Sequence, residues 1–233
     1  MKKSKYFFFL IIFGLYYQTT NTQFYSQNNQ DQFIYEQFFK DDKKGFFIDI
    51  GANDGITYSN TYFFEKHLGW KGICFEPLPS AFKILQKNRS CTCINACIGS
   101  QEELAQFLAI QGITERTDML SGLIKKYDPR HIERINRELA LYGGTKKIIV
   151  IPCYTLNTIL EKYDIRYIDY LSIDTEGGEL DILKSIDFSK IIINIIDVEN
   201  NYNEPYIYNY LLKKGYQLVK RTGADEIYKK INL

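Results

Sequence analysis

The sequence has almost no net charge, with 29 Lys and Arg against 28 Asp and Glu, a formal +1. Proteins held to nucleic acid mainly through phosphates carry a basic surplus, so that class of partner is not expected. Cysteine is scarce and lacks a framework pattern: Cys74 falls in an expected strand, Cys91, Cys93 and Cys97 lie on or beside another, and Cys153 stands alone. The C-x-C-x-x-x-C run lacks the paired C-x-x-C spacing of a zinc site, and His131 is far along the chain, so the thiols read as small buried hydrophobes. No hydrophobic run reaches the about 20 residues that a bilayer span requires. The apolar stretch at residues 6–17, behind Lys2, Lys3 and Lys5, reads as a secretory signal or a short anchor without a small-x-small cleavage site. Residues 1–22 are therefore set apart from the fold. They suggest an exported or membrane-associated protein, with any membrane association made through residues 6–17.

What remains, about residues 25–233, is ample for one α/β domain. Its centre is the stretch Gly45-Phe46-Phe47-Ile48-Asp49-Ile50-Gly51-Ala52-Asn53-Asp54-Gly55. A short apolar run reads as a strand buried on both faces. It ends on an acid, turns at Gly51 and Gly55, and is followed by helical spacing over residues 59–68, with Ser59 or Asn60 as the cap. Strand, glycine turn and helix form the nucleotide-binding corner of an α/β sheet, because glycine lets the backbone approach a ligand where a Cβ would collide. Glu76 stands 25 positions after Gly51, at the end of a second strand, where such folds place the acid that accepts from ribose hydroxyls. Pro77 stops that strand and aims the acid at the cleft.

Further strands are expected near residues 92–98, 107–110, 148–152, 167–173 and 191–198, alternating with helices. The alternation lapses over residues 111–147, where an internal helix with apolar Ile132, Ile135 and Leu139 predicts an ordered lid. At the end, residues 216–221 and 226–231 read as strands separated only by Thr222-Gly223-Ala224-Asp225, a gap too short for a crossover helix. The last strand must run antiparallel. The expected fold is therefore α/β and Rossmann-like: a mostly parallel seven-stranded sheet with a C-terminal antiparallel hairpin and helices on both faces. That is the usual methyltransferase architecture, whereas dinucleotide dehydrogenases continue with parallel strands.

From about residue 25 onward the chain resembles the FkbM family of methyltransferases. The resemblance rests on residues 47–55, Ser59-Asn60-Thr61, Leu68-Gly69-Trp70-Lys71-Gly72 with Glu76-Pro77, and Tyr127-Asp128-Pro129-Arg130-His131. Ser172-Ile173-Asp174-Thr175-Glu176-Gly177, Glu199-Asn200-Asn201-Tyr202 and Asp225-Glu226-Ile227-Tyr228 complete it. It implies S-adenosylmethionine as cofactor and O-methylation of a sugar or other small hydroxylated acceptor, and it leaves the acceptor open. The cofactor site it implies comprises Asp49, Gly51, Ala52, Asn53, Asp54, Gly55, Asn60, Glu76, Pro77 and Asp174. Asp49 or Asp54 would meet the donor's ammonium end or order the turn. Glu76 would hold the ribose, and Asp174 the methionine portion or the acceptor. Because positive charge disperses as the methyl group moves, carboxylates should grip the periphery rather than the sulfonium. Candidate general bases are Asp174, Glu176, His131 and Glu199. Arg130, Arg134 and Arg137 could meet an anionic acceptor or form a solvated face, and the sequence demands no metal. Two readings compete: a nicotinamide-linked oxidoreductase, disfavoured by the terminal hairpin and the missing third glycine, and a non-catalytic exported or membrane-anchored binding protein, whereas use of an intracellular methyl donor implies a cytoplasmic-facing domain.

Overall fold

A computed structural model of the chain describes residues 23–40, 44–112 and 115–231; the signal-like segment of residues 1–22 lies outside them. The first strands are β1 (Phe46–Ile50), β2 (Lys71–Phe75), β3 (Thr92–Ile94), β4 (Cys97–Ile98) and β5 (Glu103–Gly112). They are followed by β6 (Gly122–Leu123), β7 (Gly144–Tyr154), β8 (Tyr167–Ile173), β9 (Ile192–Glu199), β10 (Tyr216–Thr222) and β11 (Asp225–Lys230). Seven of them form the main sheet in the order β10-β11-β9-β8-β1-β2-β3. β1, β2, β3, β8 and β9 run parallel, and β11 lies antiparallel to both β9 and β10. The chain builds outward from β1 through β2 to β3, then returns to β8 on the other side of β1. This reversal opens a crevice at the carboxyl ends of β1 and β8, the place where open α/β sheets bind ligands.

Successive residues of β1 face opposite sides, and each side is covered. Phe47 joins a cluster with Ile34, Phe39, Phe63, Phe64, Trp70 and Tyr170. These come from α1 (Gln30–Ile34), its π-helical continuation Tyr35–Phe39, α2 (Tyr62–Leu68) and the adjoining strands. Leu85 of α3 (Pro79–Asn88) packs into the same cluster. Ile48 and Ile50 join the opposite cluster with Leu160, Leu183 and Leu211. The helices of that face are α6 (Leu156–Lys162), α7 (Glu179–Ser185) and α8 (Pro205–Lys213). The remaining helices, α4 (Glu115–Asp118) and α5 (Pro129–Tyr142), belong to an excursion between β5 and β7. A central strand covered on both faces has no use for polar side chains, which is why β1 carries four apolar residues and the single acid Asp49.

Three elements differ from the sequence-based expectation. Residues 92–98 are two strands in different sheets, because the chain turns after Ile94 where the Asn95 side-chain amide donates to the carbonyls of Glu76 and Pro77. β5 and β7 are ten and eleven residues long and pair antiparallel along their whole length, from Glu103 opposite Cys153 to Gly112 opposite Gly144. The first half of β7 is exposed and polar, so it shows no alternation to read. With β4 and β6 they form a second, four-stranded sheet in the order β4-β7-β5-β6. The excursion at residues 111–147 thus continues the β5–β7 pair and carries α5 above the crevice. α5 starts at Asp128, whose carboxylate accepts from the Arg130 N–H, with Pro129 at the first helical position. Ile135 docks it against Ile110 and Leu120.

Candidate functional site

The corner after β1 is held by backbone and carboxylate together. The N–H groups of Gly51 and Ala52 both donate to the carbonyl of Phe75, the last residue of β2. Gly51 has φ +95°, and a Cβ there would overlap the carbonyl oxygen of Asp174. Glycine at this position is demanded by the close approach of β1 and β8 as well as by the left-handed backbone. Glu76 reaches back across the corner: one carboxylate oxygen accepts from Asn53 N–H at 2.8 Å and the other from Leu78 N–H at 2.7 Å. Burial pushes its pKa up to about 7 in spite of these two bonds. A carboxylate offers about four acceptor sites. Two remain for a ligand.

The other residues of the corner divide into two groups. Asp54 accepts from the N–H groups of Ile56 and Thr57 and from the Thr57 hydroxyl, so it orders the turn. At Gly55, φ +85°, a Cβ would stand 2.7 Å from Leu85 and Arg89, so this glycine makes room for α3 rather than for a ligand. Asp49 is buried, accepts from the Thr61 hydroxyl at 2.5 Å and faces Arg89 Nη1 at 3.9 Å. Burial raises its pKa against the pull of Arg89. Asn60 donates to the Ser172 hydroxyl, leaving its Oδ1 buried with no protein partner.

A cleft of about 1140 Å³ lies over the corner, between the tips of β1, β2, β8, β9 and β11 and the inner side of α5. Asp49, Gly51, Ala52, Asn53, Asn60, Glu76 and Pro77 line one wall. Asp174, Glu176 and Glu199 line the other. Asp54, Gly55 and His131 are not on the cleft wall. Asp174 opens into the cleft at the tip of β8, where its N–H donates to the Ile50 carbonyl. Enclosure by the protein, then the charges of Glu176 and Asp225, raise its pKa well above the carboxylate range. Glu199 behaves likewise, with burial first and Asp174 next, and its Oε2 has no hydrogen-bond partner.

Glu176 adopts φ +56°, an uncommon backbone for a residue with a side chain, and three groups hold it there. They are His131 Nδ1 at 3.3 Å, Arg134 at 3.5 Å and the Asn201 amide at 3.3 Å. His131 is buried, stacks on Tyr127 and points Nε2 at the Leu120 carbonyl at 3.1 Å. Burial lowers its pKa, while burial raises that of Glu176 to about 7. Both ring nitrogens are therefore engaged with protein, and the ring ties α5 to the tip of β8. Arg134 is shared between Glu138 and Glu176, and Arg130 between Asp128 and Glu204. Arg137 reaches the cleft wall.

Two parts of the site are held by contacts that the sequence does not show. Asp225 lines the cleft from the final hairpin and is held by the Gln30 amide at 2.6 Å, across 195 positions of chain. Arg89, buried at the end of α3, donates to Glu65, the Gly55 carbonyl and the Thr61 hydroxyl, fastening α2 and the glycine turn together. Only the tertiary fold brings these partners into reach.

The cleft is rich in acceptors: orphaned oxygens on Asn60 and Glu199, spare lone pairs on Glu76, and the cleft-facing carboxyl group of Asp174. That set fits a cationic ligand bearing hydroxyl and ammonium donors. It does not fit a pyrophosphate, which needs free N–H groups at a helix start. Here the N–H groups of Thr61 and Tyr62 are already taken by the Ser59 hydroxyl. Among the described residues, no group of three or more His, Cys, Asp or Glu is arranged to hold a metal ion, and no helix is long and apolar enough to cross a membrane.

A family model described as the methyltransferase FkbM domain matches residues 49–218. The methyltransferase sdnD of Sordaria araneosa is 23% identical over 218 residues, which cover 81% of this chain and 83% of that protein. The crystal structure of methyltransferase FkbM from Methylobacillus flagellatus KT aligns with a TM-score of 0.50 and 13% identity over 80% of this chain. The match covers 44% of that longer protein, and at this identity the likeness is one of fold.

Proposed function

Because the chain belongs to the FkbM methyltransferase family, we propose that its cleft binds S-adenosylmethionine and that it methylates a hydroxyl group of a sugar or other small metabolite. The observation that carries this reading is the acceptor pattern across the corner. Glu76 is oriented by two backbone donors and keeps two acceptor sites for a ribose diol. Asn60 Oδ1, buried and unpartnered beside Ser172, is a ready acceptor for an ammonium group. The bound cofactor supplies an activated methyl group on a sulfonium. The protein aligns the acceptor oxygen and excludes water.

Asp174 is the residue we assign to take the acceptor's proton. It opens into the cleft beside Gly51, and its raised pKa lets it hold a proton more firmly than an ordinary carboxylate does. Glu176 is already shared among His131, Arg134 and Asn201 and serves to fix α5 over the tip of β8. Asp54 and Gly55 shape the turn from behind.

Isothermal titration with S-adenosylmethionine and, separately, with NAD tests the reading. Binding of the methyl donor with no heat from NAD is expected; the reverse would falsify it. Turnover to S-adenosylhomocysteine in a panel of glycans and hydroxylated metabolites then defines the acceptor.

A further inference from the structure

Behind the corner, away from the cleft, two thiols meet. Cys74 is fully buried on β2, Cys91 is half-buried just before β3, and their sulfurs are 3.5 Å apart. Neither lines the cleft. The surroundings of the pair favour reaction. The thiols of Cys74 and Cys93 bring the pKa of Cys91 down to about 5 against the opposing effect of burial, and the Arg89 guanidinium adds to the lowering. The opposing charge of Glu65 is itself paired with Arg89. The remaining cysteines provide an internal contrast. Cys97 and Cys153 face each other in register on β4 and β7, but burial raises both, Cys153 to about 11. Thiols that react with oxidants are partly exposed, lie beside a positive charge and have a second thiol within reach. Cys91 meets all three conditions.

We infer that Cys91 and Cys74 form a hydroperoxide-reactive pair that closes to a disulfide behind the cofactor corner. The Cys91 sulfur attacks the peroxide: an S–O bond forms, the O–O bond breaks, and the departing oxygen leaves as water after protonation. Cys91 is thereby oxidised by two electrons to the sulfenic acid. The Cys74 sulfur then attacks Cys91 Sγ, the S–O bond breaks, and a second water leaves with the Cys74 proton. In total, two thiols and one hydrogen peroxide give one disulfide and two waters. The sulfurs must close from 3.5 Å to about 2.05 Å. The new bond would staple β2 to the segment of residues 89–91, which Glu65 already holds through Arg89 and the N–H groups of Ser90 and Cys91.

The test is peptide mapping of the full chain, reduced, treated with hydrogen peroxide at neutral pH, alkylated and digested with trypsin. Residues 72–83 carry Cys74, and residues 90–116 carry Cys91, Cys93 and Cys97. The expected result is a cross-link between these two peptides, with loss of two hydrogen atoms and reversal by dithiothreitol. The link persists in Cys93→Ser, is lost in Cys91→Ser and Cys74→Ser, and forms while Cys153 remains alkylatable. A link that survives Cys91→Ser, oxidation of Cys153 as fast as of Cys91, or sulfinic acid at Cys91 without a link overturns the proposal. Should Cys74→Ser fold poorly, the Cys91→Ser and Cys93→Ser variants decide it.

Discussion

On the β1–β2 side of the cleft, Asp49 and Glu76 each accept from protein donors; on the β8–β9 side, Asp174, Glu199 and Asp225 crowd together and Glu199 leaves an oxygen without a donor. The two walls share a residue type and differ in how closely their carboxyl groups crowd one another. The first wall is a shape, fixed before any ligand arrives, with lone pairs to spare. The second is crowded: burial first and then the neighbouring acids raise its pKa values, and a cationic ligand would ease that crowding. A buried polar group without a partner is costly, so its presence at a cleft is informative. Pre-organisation on one wall and unrelieved charge on the other together describe a site for a positively charged ligand with hydroxyl donors.

The largest effect expected on donor affinity comes from the junction of the walls. Gly51→Ala places a methyl group on the Asp174 carbonyl at φ +95°. Calorimetry with S-adenosylhomocysteine should show no measurable binding, with a loss of stability of about 3 kcal/mol or more in denaturant titration. Binding within tenfold of the parent would mean that the walls can separate and that the corner is not pre-formed.

Next is Glu76→Gln, which keeps the side-chain shape and removes the charge. Hydrogen bonds to a charged group contribute about 1.5–3 kcal/mol, so donor affinity should fall roughly 10–150-fold. The parent protein should also show a pH dependence of known sign. The Glu76 pKa of about 7 means that the group gains the full acceptor strength of a carboxylate toward a diol only as it ionises. Affinity should therefore be about tenfold weaker at pH 6 than at pH 8 and level off above that. A flat profile would remove Glu76 from the ligand's contacts.

How much of this was legible in the sequence differs by wall as well. The glycine turn, Glu76 and the terminal hairpin are local patterns, so the parallel sheet and the first wall could be read from spacing alone. The second wall depends on the Gln30 amide reaching Asp225 and on α5 lying over β8, contacts between segments that no periodicity connects. Arg89 was equally invisible: a basic residue at a helix end usually looks solvated, and only the fold shows it inside. The break between β3 and β4 depends on the single side chain of Asn95 bridging to Glu76 and Pro77.

A smaller effect separates stability from binding. Glu199→Gln removes one of the crowded acids and should lower donor affinity about threefold to tenfold, while raising the melting temperature of the ligand-free protein by about 2–4 °C for each kcal/mol of burial and crowding cost relieved. The sign follows from linkage. Glu76 and Glu176 bind protons more tightly when folded, at about 7 against an ordinary 4.5, so stability is fullest below the unfolded value and is lost as pH rises through the folded one. Ligand-free protein should therefore lose stability between about pH 5 and 7, by up to ~1.4 kcal/mol per unit for each group. Saturating donor analogue should reduce that slope.

The smallest effect is expected at His131. Its ring lies off the wall of the main cleft, between the Leu120 carbonyl and Glu176, so no contact with the methyl donor is expected. His131→Gln keeps a polar group in that space. S-adenosylhomocysteine affinity should stay within about twofold, since none of the ligand's acceptors has moved. Unfolding free energy should fall by about 1–3 kcal/mol, because a buried histidine stacked on Tyr127 is lost and Glu176 is left with one partner fewer. Hydrogen exchange should locate that loss in α5 and at the tip of β8, leaving β1 and β2 protected. If donor affinity fell in step with stability, the two walls would be one cooperative unit, and the distinction between a pre-formed wall and a charged one would not hold.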